Sequence, residues 1–250
     1  MPANEDVPAN EPECFGYGLP MAAGWTPSHG SGLVVQRDLT PAAWIESSLP
    51  DDAGHTVGGL VPGGFGGYAR VFFPFVITGP PRGQGREERI TWTEMARRNG
   101  RVAHAVMHRQ DILLEDQDHD ENLTWYADMA PEQFSALVAV LARHTSSAGS
   151  WFLLWGGHGD LDSRAFSPWP TAQHGGSDYY LLHGQHRAYE DFSSAPDFWW
   201  PEDRAWCVCT HADIDWAYVA GSAACIQEIL ALPVIDAQPT KLQDPLPSME

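Results

Sequence analysis

The chain has 250 residues, 43% of them apolar and 19% charged, a balance that suits a globular protein of one large or two small domains and excludes a disordered one. A formal net charge of −19 repels polyphosphates, which excludes broad nucleic-acid binding and leaves a basic protein as the charge-matched partner, beside the plainer benefit of solubility. No run approaches the ~18 apolar residues of a membrane span, and Cys14, Cys207, Cys209 and Cys225 lack the even spacing of a secreted disulfide framework.

Residues 1–30 are rich in Pro, Gly, Asn and Glu, and predict a flexible acidic arm. They carry neither the basic start nor the apolar stretch of a signal peptide, so a cytoplasmic location is expected. Leu33–Val35 reads as a strand. DLTPAAWIESSL then predicts a helix with Thr40 as N-cap and Pro41 at its first position, and DDAGHTVGGLVPGGFGG reads as loop. YARVFFPFVI, Tyr68–Ile77, is aromatic and β-branched, the signature of a buried strand. Pro74 demotes it to an edge strand, a bulge, or two short strands. In ITWTEMARRNG, Thr91 and Glu94 stand at capping-box spacing and Asn99-Gly100 supplies the stop.

RVAHAVMH is expected to return as a strand and DQDHDEN to form a loop. APEQFSALVAVLARHT is the clearest helix, with Phe134, Leu137, Val138 and Leu141 on one stripe and Arg143 and His144 at the favourable end. Ser150–Trp155 predicts a strand. GGHGDLDSRAFSPWPTAQHGG predicts a long loop, and DYYLLHGQHRAYEDF a hairpin turning near Gly184. AWCVCTHADIDWAYV is strand-like. SAACIQEILAL predicts a helix capped by Ser222, and residues 237–250 a loose Pro-rich tail. Strands and helices interleave without regular βαβ spacing. The reading is a single α+β domain over 31–236, with a mixed or antiparallel sheet and a few helices packed on it.

The candidate sites are few. If Trp206–Trp216 were one strand, Cys207, Cys209, His211, Asp213 and Asp215 would share a face, which invites a metal ion. Same-face neighbours stand about 6.6 Å apart, so only adjacent members reach one ion, and Cys-x-Cys is not a zinc knuckle. No metal and no cofactor is therefore expected; the cysteines read as small buried hydrophobes. The aspartates read as turn ligands past the strand end, with a general base in a Trp-lined cleft as the rival. DQDHDEN lacks the Gly and Glu of a calcium loop, HAVMH lacks the Glu of a zinc protease helix, and GGFGG lacks the Lys of a phosphate loop. There is no Gly-x-Ser-x-Gly elbow.

Four segments carry a resemblance: GGYARVFFPF, WTEMARRNGRVAHAVM, HTSSAGSWFLLWGG, and PDFWWPEDRAWCVCTHADIDWAYVAGSAACI. Together they resemble a family of uncharacterised actinobacterial proteins, over about Gly58–Leu232. The resemblance implies a bacterial, intracellular setting and no particular activity. It carries over Trp200, Pro201, Asp203, Arg204, Trp206, Asp213, Asp215, Tyr218, Gly221 and Ser222, while Cys209 and His211 depart from the pattern. Phe73 and His108 depart from it too, a His being usual at the first.

Two functions are expected. One is a non-enzymatic, immunity- or inhibitor-like module whose acidic surface and aromatic anchors engage a basic protein. The other is a small-molecule-binding protein or hydrolase with a Trp-lined cleft. There Asp213 or Asp215 would act as base, and Trp200, Arg204, Tyr218 and the Ser222 helix terminus would hold the ligand.

Overall fold

The computed structural model describes residues 32–49, 55–78, 87–118, 120, 122–125, 129–159, 161–191, 195–211 and 214–247. The expected arm over 1–30 lies outside them. In chain order the strands are β1 (Val34–Val35), β2 (Gly67–Phe72), β3 (Phe75–Thr78), β4 (Glu87–Ile90), β5 (Leu123–Trp125), β6 (Gly149–Trp155), β7 (Ala172–His174), β8 (Ser177–Gln185), β9 (Phe198–Pro201), β10 (Cys207–Cys209), β11 (Trp216–Gly221) and β12 (Ala237–Thr240). The helices are α1 (Ala43–Ser48), α2 (Trp92–Arg98), α3 (Arg109–Ile112), α4 (Glu115–Asp118), α5 (Pro131–Arg143), α6 (Ser163–Phe166) and α7 (Ala223–Leu230).

Nine strands form one sheet in the order β1-β8-β6-β9-β10-β11-β2-β12, with β7 beside β1 on the edge of β8. A second sheet has the order β4-β3-β5. The pairings within both are antiparallel. The fold is α+β, as the interleaved elements predict.

Both faces of the large sheet are buried, because its central strands carry apolar side chains on both. One face sets Ala69, Val71, Phe152, Leu154, Trp199, Val208, Ala217 and Val219 against α5 and α7. The predicted stripe of α5 is buried there, and Ser222 caps α7 by accepting from the Cys225 N–H at 3.1 Å. At the far end of α5, Arg143 and His144 both meet Glu228 of α7. The other face sets Phe72, Leu153, Leu181, Trp200, Trp216 and Tyr218 against α1, α2, α3 and the second sheet.

Pro74 divides the predicted strand in two. β2 stays in the large sheet and β3 enters the small one, since proline has no N–H to continue a ladder. The freed Phe73 carbonyl accepts the Trp92 indole N–H at 2.7 Å, and its N–H reaches Asp215 O at 2.9 Å. The α2 start is held twice. Thr91 Oγ1 accepts from Glu94 N at 3.1 Å, and Asp236 takes the N–H and hydroxyl of Thr93 at 3.0 and 2.6 Å. Gly100, at φ +65°, ends the helix as predicted.

Several expectations fail. The helix near Thr40 opens as a 3-10 turn with Leu39 at its N-cap and no side-chain cap; Thr40 lies inside the turn, and its N–H donates to Asp38 Oδ1 at 3.0 Å. RVAHAVMH forms no strand, because its Ala105 and Met107 carbonyls are taken by the buried Arg70 side chain at 2.9 and 2.7 Å. DQDHDEN opens within α4 instead of forming only loop. The long loop after Trp155 contains α6, capped by Asp162, and β7. The hairpin turns at Gly175-Gly176 (φ +57° and +80°), not at Gly184. Gly184 lies inside β8, where the residue before β1 crowds it: a Cβ there would stand 2.9 Å from Leu33 Cδ2. The expected loose tail instead supplies β12, which completes the edge beside β2, and Leu246 N reaches His55 O at 2.8 Å.

Candidate functional site

The tryptophan-rich segment is not one strand. β10 and β11 form an antiparallel pair with Cys209 opposite Tyr218; Thr210, His211, Ile214 and Asp215 lie outside both strands, and Ile214 N donates to His211 O at 3.1 Å. This separates the predicted site residues. Arg204 and Ser222 lie where β9 meets β10 and β11 meets α7. Asp215 lies at the opposite end of β11, seven residues from Ser222 and about 23 Å away at roughly 3.3 Å per residue. Arg204 and Ser222 are therefore not brought together with Asp215. Asp213 lies outside the described residues.

Each remaining candidate has a structural partner. Trp200 is buried and meets Trp44 edge-on at 5.7 Å, while Arg204, exposed and at φ +55°, lies 5.4 Å over the Trp44 ring. Beside it Asp203 accepts from Thr145 Oγ1, Ser146 N, Ser146 Oγ and Ala205 N. Burial works to raise that carboxyl, but those four donors outweigh it and hold it down at about 2. Asp215 stands 3.3 Å from Arg109 Nε. Burial pushes it up to about 6, against the opposing pull of Arg109 and Arg70.

Arg70 is the buried charge beneath this region. Its guanidinium carbon lies 3.8 Å from the Trp216 ring centre and 4.6 Å from that of Phe72. Nη1 donates to the Ala105 and Met107 carbonyls, while Nε and Nη2 meet no hydrogen-bond acceptor among the described residues, and ring faces stand in for one. Burial draws the group down to about 10, with Tyr218, Asp215 and Asp111 opposing, so it remains a cation at neutral pH.

At the Asp215 end of the hairpin the fold leaves a cavity of about 140 Å³. Its floor is Phe198, Cys209, Tyr179 and Tyr218 from the large sheet. Its walls are the Gly59–Leu60 turn, the β7–β8 hairpin with His174 and Ser177, and Thr210, His211 and Ile214 between β10 and β11. The floor carries no charge at neutral pH. Burial pushes the Tyr179 phenol up to about 12, and raises the Tyr218 phenol and the Cys209 thiol. Of the predicted ligand-binding residues only Tyr218 lines this cavity; His174, Tyr179 and Phe198 were not foreseen. The Gly175-Gly176 turn was a local signal for His174 and Tyr179, which flank it, and not for Phe198 on β9.

Among the described residues no group of three or more His, Cys, Asp or Glu could hold a metal ion, and no helix is long and apolar enough to cross a membrane. Compared with known proteins, the chain matches no family model, no curated protein and no solved structure.

Proposed function

We propose that this protein binds a small, uncharged molecule with an aromatic or apolar body in the cavity at the Cys209–Tyr218 end of the β10–β11 pair. One observation carries the reading: an aromatic, neutral floor opens beneath walls that present hydroxyl and imidazole groups. Such a site combines apolar area with a few orienting polar atoms, and its volume suits a guest of about benzene size. An anion would meet no cation on the floor and a −19 protein around it. No hydrolytic role follows, because Asp215 is engaged with Arg109 and Arg204 stands at the other end of the hairpin. The reading extends to a cytoplasmic, actinobacterial setting, supported by the WWPEDRAW…DIDWAYVAGS pattern alone.

A panel of neutral aromatic fragments and their carboxylated analogues tests it by thermal shift and ligand-detected NMR. The neutral members are expected to bind, and Thr210→Phe, which fills the cavity, to abolish that binding while the protein stays folded. Equal binding to the filled variant would place the ligand elsewhere. A second reading, an immunity- or inhibitor-like module for a basic protein, is favoured by the net charge. It has fewer anchors than the sequence suggests, since Trp92, Trp199, Trp200, Trp206 and Trp216 are all buried. A salt-sensitive complex with a basic protein that survives the Thr210→Phe change would favour it.

A further inference from the structure

Two thiols meet at the back of the cavity. Cys207 and Cys209 lie on the same face of β10, buried, with their sulfurs 3.6 Å apart. Cys209 forms part of the cavity floor, so a ligand that occupies the cavity reaches this sulfur first and Cys207 directly behind it. Cys225 belongs to the opposite face of the sheet and takes no part.

Two chemistries are open to such a pair, and geometry separates them. A disulfide needs its sulfurs at about 2.05 Å and its Cα atoms within about 6.8 Å. Alternate residues of a strand stand about 6.6 Å apart, at the edge of that range, and both cysteines are held in register, Cys207 against Ala220 and Cys209 against Tyr218. Direct closure would pull on a paired strand. Closure through an intervening atom would not, because two sulfurs at 3.6 Å can both bond one larger, thiophilic centre between them. A tetrahedral metal ion would want further protein ligands, and no third one joins the pair among the described residues. The centre that fits is one satisfied by two sulfurs and carrying an organic group of its own, which the aromatic floor can hold.

We propose that Cys207 and Cys209 form a dithiol site for trivalent arsenic bearing one apolar or aromatic group. The proposal rests on the ligand cavity described above and names one reactive class that the cavity would retain. In the capture step two As–S bonds form and two As–O bonds of the hydrated arsenical break. Each thiol proton leaves with a hydroxide as water, and neither arsenic nor sulfur changes oxidation state.

Phenylarsine oxide is the probe, applied to the folded full-length protein in a Cys14→Ser/Cys225→Ser background. The expected result is one adduct per chain, loss of both remaining free thiols, and a raised melting temperature. Reversal should follow a dithiol such as 2,3-dimercaptopropanol but not a monothiol at equal thiol concentration. Cys207→Ser or Cys209→Ser is expected to weaken binding roughly a hundredfold or more, the loss expected when the second contact is no longer intramolecular. Reaction only after unfolding in urea, equal affinity in the single-thiol variants, or reversal by the monothiol would overturn the proposal. Indole run beside it on the Cys209→Ser protein separates the two readings. If indole binds while the arsenical does not bind the two-thiol protein, only the dithiol proposal fails. If neither binds, the cavity reading fails with it.

Discussion

The two faces of the large sheet solve the same burial problem in different ways. On one, α5 and α7 lay regular apolar stripes across β2, β6, β9, β10 and β11, and charged contacts such as Arg143 and His144 with Glu228 stay at the margin. On the other, short helices, a small sheet and turns must cover the same area. Arg70, Asp215, two thiols and two tyrosines lie inside that irregular layer, and the cavity opens there. Helices satisfy their own backbone groups and so can cover a sheet with apolar side chains alone. Turns leave carbonyls such as those of Ala105 and Met107 to be met by side chains. The polar chemistry of this protein follows from which face received the turns.

That contrast can be broken most severely at Arg70. Arg70→Met removes the donor to two buried carbonyls and one cation facing Asp215, and is expected to cost about 3–5 kcal/mol in urea denaturation. A more stable variant would instead show that the aromatic box prefers an apolar occupant. On the helical face, Leu137→Ala should cost about 2–5 kcal/mol by leaving a cavity under α5. It should leave fragment binding unchanged, since no α5 residue lines the site.

The next effect is a pH dependence. Burial pushes the Asp215 carboxyl up from its ordinary value of 3.8 to about 6 in the folded protein, so between these values the folded state binds more protons. Its contribution therefore favours folding below the lower value and is lost as pH rises toward and past 6, by about 2–3 kcal/mol in all. Asp215→Asn is expected to flatten that part of the stability–pH curve, measured by urea midpoints from pH 4 to 8. An unchanged slope would show that the Arg109 pair holds the carboxylate ionised throughout. The smallest effect is at Ser222→Ala. Loss of its cap should cost about 1 kcal/mol without changing ligand affinity, which separates a helix cap from a ligand contact.

What could be read from the residues was local. Thr91, Asn99-Gly100 and Ser222 mark helix ends through bonds made within four residues of themselves. The stripe of α5 needs only its own periodicity, and Pro74 breaks a ladder wherever it stands. What misled was a residue whose meaning depends on a distant neighbour. Gly184 looks like a turn and is a strand position kept small for Leu33. Ala237–Thr240 looks like a loose tail until β2 offers an edge. Asp215 was expected to hold the N–H groups of a turn past the strand, and its carboxylate meets Arg109, more than a hundred residues away.

The sequence by itself determined the α+β class, the helix boundaries set by caps, and the burial of the tryptophan-rich segment, because propensity and periodicity act over a few residues. Only the tertiary structure decided that Arg204 and Ser222 stand at the opposite end of a strand from Asp215, and that His174, Tyr179, Cys209 and Tyr218 surround one cavity. Pairing register sets those positions, and register is a property of two chain segments at once, so neither segment encodes it alone.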